Sequence, residues 1–79
     1  MSAARIKNMR RLYINSSVFK SVGYDRDAKT LELEFKENGS IWQYYDFPPL
    51  AYKKFINSES RGHFFSTCIR NKYREVQIA

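Results

Sequence analysis

The sequence predicts an α+β fold: a small antiparallel sheet, built as a three-stranded meander plus a short C-terminal strand, covered on one face by two helices. Three observations predict it. Residues 30–36 alternate strictly between apolar and polar, the period of a strand with one buried face. Between residues 49 and 73, large apolar side chains recur three and four positions apart, the spacing of an amphipathic helix. The resulting order β-β-β-α-α-β groups strands apart from helices, which suits an antiparallel sheet with its helices on one side.

The elements follow in chain order. Residues 1–14 mix small, polar and basic side chains and are expected to form a basic N-terminal arm, with the domain proper running from 15 to 79. Residues 16–24 place Val18, Val22 and Tyr24 on one parity and Phe19, Ser21 and Gly23 on the other, as in a first strand. The polar stretch 25–29 turns the chain into residues 30–36. Glu37-Asn38-Gly39 then closes a hairpin, because Asn and Gly tolerate the positive φ that such loops need.

The return strand, residues 40–45, carries the aromatic run Trp42-Gln43-Tyr44-Tyr45. If Glu32 and Glu34 face water, then Leu31, Leu33 and Phe35 face the core, and Gln43 matches the glutamate side. Trp42 and Tyr44 are then core rings, and Tyr45 is the ring left to meet a partner. Pro48 and Pro49 stop the strand and open a helix over 49–57 whose stripe is Tyr52, Phe55 and Ile56. Ser60 caps a second helix that carries Phe64, Phe65, Cys68 and Ile69, and residues 75–78 alternate again as a short last strand.

Taken in order, Ser16-Ser17-Val18, Val22-Gly23-Tyr24-Asp25, Leu31-x-Leu33-x-Phe35, Gly39, Trp42-x-Tyr44, Pro48, Tyr52, Ser60-x-Gly62, Phe65 and Ile69-Arg70-x-x-Tyr73 resemble the KTSC domain family. That family occurs as small stand-alone proteins and at the C-terminus of some bacterial lysyl-tRNA synthetases. The likeness covers roughly residues 15–78. A tyrosine-x-tyrosine signature of the family stands here as Trp42-Gln43-Tyr44, which keeps the planar rings and loses one hydroxyl. The resemblance implies no established activity; the synthetase fusions suggest RNA binding.

The 79 residues make one domain, which at this length buries about 60% of its unfolded surface. Six Tyr, six Phe and one Trp carry much of that burial. The net charge of +6 is concentrated at the ends. Residues 1–12 hold Arg5, Lys7, Arg10 and Arg11 with no acid, and residues 61–79 hold Arg61, Arg70, Lys72 and Arg74 against Glu75, while the centre is nearly balanced. Such an asymmetry favours a polyanionic partner.

Two constellations carry that idea. Ser60-Arg61-Gly62-His63 reads as an ordinary capped helix start, or as a phosphate cradle with a close-approach glycine and two cationic side chains. Ile69 to Arg74 packs three cations into six residues, suited to phosphate contacts or simply to a solvated face. Arg61, His63, Arg70, Lys72 and Arg74 are therefore the candidate nucleic-acid-binding residues, with Arg5, Arg10 and Arg11 as an auxiliary arm and Tyr45 as a stacking contact.

Catalysis finds little support. His63 and Cys68 are five apart, about 140° around a helix, too far for a thiol–imidazole pair, so Cys68 is assigned to the core. One His and one Cys fall short of a zinc site. No apolar stretch approaches the roughly 20 residues of a membrane span, and a single cysteine fits a reducing compartment. The expectation is a non-catalytic cytoplasmic module without cofactor, metal or small-molecule substrate, binding nucleic acid, RNA rather than DNA. The alternative is an adaptor that docks on a larger protein.

Overall fold

The computed structural model describes residues 11–79. Five antiparallel strands lie side by side in chain order: β1 (Arg11–Tyr13), β2 (Phe19–Asp25), β3 (Thr30–Phe35), β4 (Ile41–Tyr44) and β5 (Glu75–Gln77). Between β4 and β5 run α1 (Pro49–Ile56) and α2 (Arg61–Phe64), the latter continuing into a π-helical turn, Phe65–Ile69. Phe55 of α1 and Phe65 and Ile69 of the π turn share one buried cluster with Val22, Leu31, Leu33 and Tyr44. Both helices therefore cover the same face of the sheet.

The sheet has one strand more than expected. Arg11–Tyr13, assigned above to the arm, pair with β2, with Leu12 opposite Val22, so the sheet begins within residues 1–14. The pairing satisfies backbone groups that β2 would otherwise present at an open edge. Arg5 and Arg10 lie outside the described residues.

Strand parity holds for β3 and β4. Leu31 faces Tyr44 and Leu33 faces Trp42 across the ladder; the first three are buried, while Trp42 is half-buried. In β2 the alternation breaks. A register shift between Phe19 and Ser21 inserts an extra residue, and a one-residue bulge reverses the side on which the chain before it points. Phe19, expected opposite Val22, is turned into the same core. It is fully buried, with the Phe35, Phe55 and Phe65 rings centred 5.1, 5.8 and 5.5 Å away.

The turns use the residues the sequence offers. Gly39 adopts φ 72° in the β3–β4 hairpin, and the Asp25 carboxylate caps the β2–β3 turn by accepting from the Ala28 N–H at 3.1 Å. After β4, Asp46 takes a left-handed φ of 57°, which redirects the chain and drops Phe47 into the core below Tyr24 and Tyr73. Tyr24 stacks on Tyr52 of α1 at 4.5 Å, joining sheet to helix.

Cys68 is exposed, contrary to its assignment to the core. The π turn explains this: Arg70 N–H donates to the Phe65 carbonyl at 2.8 Å, five residues back. The wider turn keeps Phe65 and Ile69 buried but rotates Cys68 off their stripe.

Candidate nucleic-acid interface

The face of the sheet away from the helices carries a chain of hydrogen bonds that crosses four strands. The Tyr45 hydroxyl donates to Gln43 Oε1 at 2.8 Å, and Gln43 Nε2 donates to Glu32 Oε1 at 2.9 Å. Glu32 Oε2 accepts from Arg11, forming the one ion pair among the described residues. Arg11 Nε in turn donates to Ser21 Oγ at 3.1 Å, and the Ser21 hydroxyl donates to Glu34 Oε1 at 2.7 Å. Glu32 is 3% and Gln43 4% exposed, so the expectation that Glu32 faces water is corrected. Gly23, opposite Glu32, has no side chain to hold the carboxylate away from the sheet, and Arg11 and Gln43 close over it from either side.

Tyr45 extends this chain toward β5. Its backbone N–H donates to the Arg74 carbonyl at 2.9 Å, and the Arg74 guanidinium lies 5.3 Å from its ring centroid. The two residues form a cation–π pair, so one side of the expected stacking ring is covered by a cation.

The remaining candidate cations are dispersed. Arg61 is half-buried and donates through Nη1 to the Asn15 carbonyl at 3.5 Å, while the exposed His63 gives its backbone N–H to Ser60 Oγ at 3.2 Å. Ser60 is thus the expected cap. Gly62 answers to packing: a Cβ there would lie 2.7 Å from Val18 Cγ2. Arg70 is exposed on the helix-covered side, its guanidinium 5.9 Å from the Phe65 centroid, and Lys72, two residues on, is exposed as well. Arg11, expected in a cationic arm, is committed to Glu32. The structure therefore joins Arg74 to Tyr45 and leaves Arg61 with His63 at the start of α2.

Sequence reasoning missed Glu32, Gln43 and Ser21 as parts of one network. The available signal was their shared parity: once β2, β3 and β4 are aligned, the three lie on one face, with Ser21 opposite Glu34 and Gln43 opposite Glu32. Among the described residues, no three His, Cys, Asp or Glu side chains converge as a metal site, and no helix is long and apolar enough to cross a membrane.

A five-stranded antiparallel sheet under two helices, with a polar network on its other face, defines a small α+β domain. Residues 15–73 match the family model of the KTSC domain, and the chain belongs to that family. Its structure is similar to the crystal structure of a KTSC domain protein from Yersinia pestis, with a TM-score of 0.85 and 37% identity over 90% of this chain and 99% of that one. It is 32% identical over 63 residues to a lysine–tRNA ligase of Nostoc punctiforme, covering 80% of this chain but only 11% of the ligase. An uncharacterised protein of Stutzerimonas stutzeri is 29% identical over 65 residues, 82% of this chain and 90% of that protein.

Proposed function

We propose that this domain is a non-catalytic, cytoplasmic RNA-binding module that holds single-stranded RNA through phosphate contacts with weak sequence preference. The observation that carries the reading is the segment after the π turn: Arg70, Lys72 and Arg74 are all exposed within five residues, and Arg74 lies over Tyr45. Exposed guanidinium and ammonium groups release counterions from a phosphate backbone, and the Tyr45–Arg74 pair offers a planar surface beside one of them. The overall charge of +6 and the likeness to a segment of a lysine–tRNA ligase support it. Arg61 and His63 contribute at the start of α2, and Arg5 and Arg10 add cations from the N-terminal arm.

Fluorescence anisotropy with a labelled single-stranded RNA tests this. Each phosphate contact contributes about −0.7 to the slope of log K against log salt for a single strand. Lys72→Ala together with Arg74→Ala should weaken binding at low salt and flatten that slope by roughly 1.4. No binding at low salt, or binding indifferent to the double substitution, would defeat the reading.

A second reading, an adaptor for a larger protein, is favoured by the edge strands. Leu12 and Tyr13 of β1 are 59% and 79% exposed, and Val76 of β5 is 45% exposed, a setting for added-strand docking. Partner capture that persists in high salt distinguishes it.

A further inference from the structure

On the helix-covered side of the sheet, a cleft of about 250 Å³ is lined by the β3–β4 hairpin, the π turn and the start of β5. Its walls are the rings of Phe35, Trp42 and Phe65. Phe65 is held edge-on to Phe35 at 5.5 Å and to Tyr44 at 5.8 Å, so these walls are set by core packing. Tyr44 also lines the cleft and is almost fully buried. The lining is charged with both signs: Arg70, Glu75 and the hairpin residue Glu37. Arg70 and Glu75 line one cleft without forming an ion pair with each other. On the hairpin, Asn38 Oδ1 accepts from the Ser40 N–H at 3.0 Å, fixing the lip.

We propose that this cleft is a base-binding site that takes a single guanine ring, a specificity element for the RNA-binding reading on which the inference rests. The size admits one ring system: it lies below the roughly 300–1,000 Å³ of sites for drug-sized ligands. Aromatic walls suit a planar heterocycle, since base–aromatic stacking tolerates any base. The charged lining selects among them. A carboxylate only accepts hydrogen bonds and a guanidinium only donates, so the ligand must present adjacent donors to Glu75 and acceptors to Arg70. Guanine has that edge, with N1–H and N2–H beside O6 and N7, and arginine donating to O6 and N7 is the commonest specific contact to this base. Burial, aided by Glu75 and opposed by Arg70, raises the pKa of the Tyr44 hydroxyl. It stays protonated and available as a third donor toward O6. A cationic side chain in the same cleft would meet Arg70.

Trp42 is the only tryptophan of the chain, so its emission reports the cleft directly. Guanosine monophosphate should quench it saturably and bind roughly 10-fold tighter than the adenosine, cytidine or uridine monophosphates. Glu75→Gln, an exchange at a half-exposed position that leaves the ring walls in place, should erase that preference. A purely phosphate-directed binder would instead gain affinity on losing a carboxylate. Equal quenching by all four nucleotides, or a guanine preference that survives Glu75→Gln, overturns the proposal. Salt-sensitive RNA binding with Trp42 emission unmoved by guanosine monophosphate also overturns it while leaving the RNA reading intact. Selective guanosine quenching without RNA binding at low salt supports the cleft and removes the RNA reading.

Discussion

On the helix-covered side of the sheet, Leu33 and Tyr44 are buried by rings from the helices, whereas Glu32 and Gln43, the next residues along the same two strands, are equally buried on the opposite face by hydrogen-bonding side chains. The first arrangement is non-directional and scales with apolar area. The second depends on every member keeping its partner, because a polar group shut away from water costs free energy unless it is hydrogen-bonded. One sheet thus has an apolar face that defines its shape and a polar face whose burial is conditional on Arg11 and Tyr45 at its two margins.

The comparison can be broken most directly on the apolar side. Phe19→Ala empties the point where three rings meet and should cost about 3–5 kcal/mol. For a domain whose net stability is on the order of 4–12 kcal/mol, that removes from about a quarter to all of it and should lower the urea midpoint by at least that fraction. An unchanged midpoint would remove Phe19 from the centre of the core.

The polar side responds differently. Arg11→Ala strips Glu32 of its ionic partner, and losing a hydrogen bond to a charged group should cost about 1.5–3 kcal/mol, with the lower end favoured because Arg11 is itself partly exposed. Adding Glu32→Gln, which removes the uncompensated charge and keeps an acceptor for Gln43 Nε2, should recover part of that loss. A double variant as unstable as the single one would show that Arg11 acts through packing and not through the carboxylate. Smaller still, Tyr45→Phe removes one donor to Gln43 and should cost about 0.5–1.5 kcal/mol by chemical denaturation. Its salt-dependent RNA affinity should be unchanged, because the ring and Arg74 remain.

Alkaline pH separates the faces without mutation. Burial raises the pKa values of Tyr24, Tyr44 and Tyr52, all of which touch the helix-covered side. The unfolded chain releases tyrosine protons near pH 10 while the folded state retains them, so stability is full below about pH 10 and falls as pH rises beyond it. Urea midpoints at about pH 8 and about pH 11 should show the decline, and Tyr44→Phe should make it shallower. A midpoint that stays flat, or rises, contradicts this linkage.

Much of the fold was legible because its signals are local. Alternation in residues 30–36, the positive φ at Gly39, the Pro49 start of α1 and the Ser60 cap each depend on a few neighbouring side chains. The candidate site was legible only as a set of residue types. Arg74 meets Tyr45 because β5 returns beside β4, and Arg70 reaches a cleft on the other side because the π turn precedes it. Neither placement is written in the spacing of the cations.

The sequence by itself determined the class of fold, the parity of β3 and β4, the hairpin and the charged ends, since each follows from backbone period and turn chemistry over short stretches. Tertiary structure alone decided that Arg11 belongs to the sheet, that a bulge turns Phe19 inward, that a π turn exposes Cys68 and that Glu32 is buried. These depend on which strand lies alongside and which side chain closes over the gap. Apart from the π turn, whose bond spans five residues, contacts of that kind join residues ten or more apart, and the free energy that selects them exists only once the chain has closed on itself.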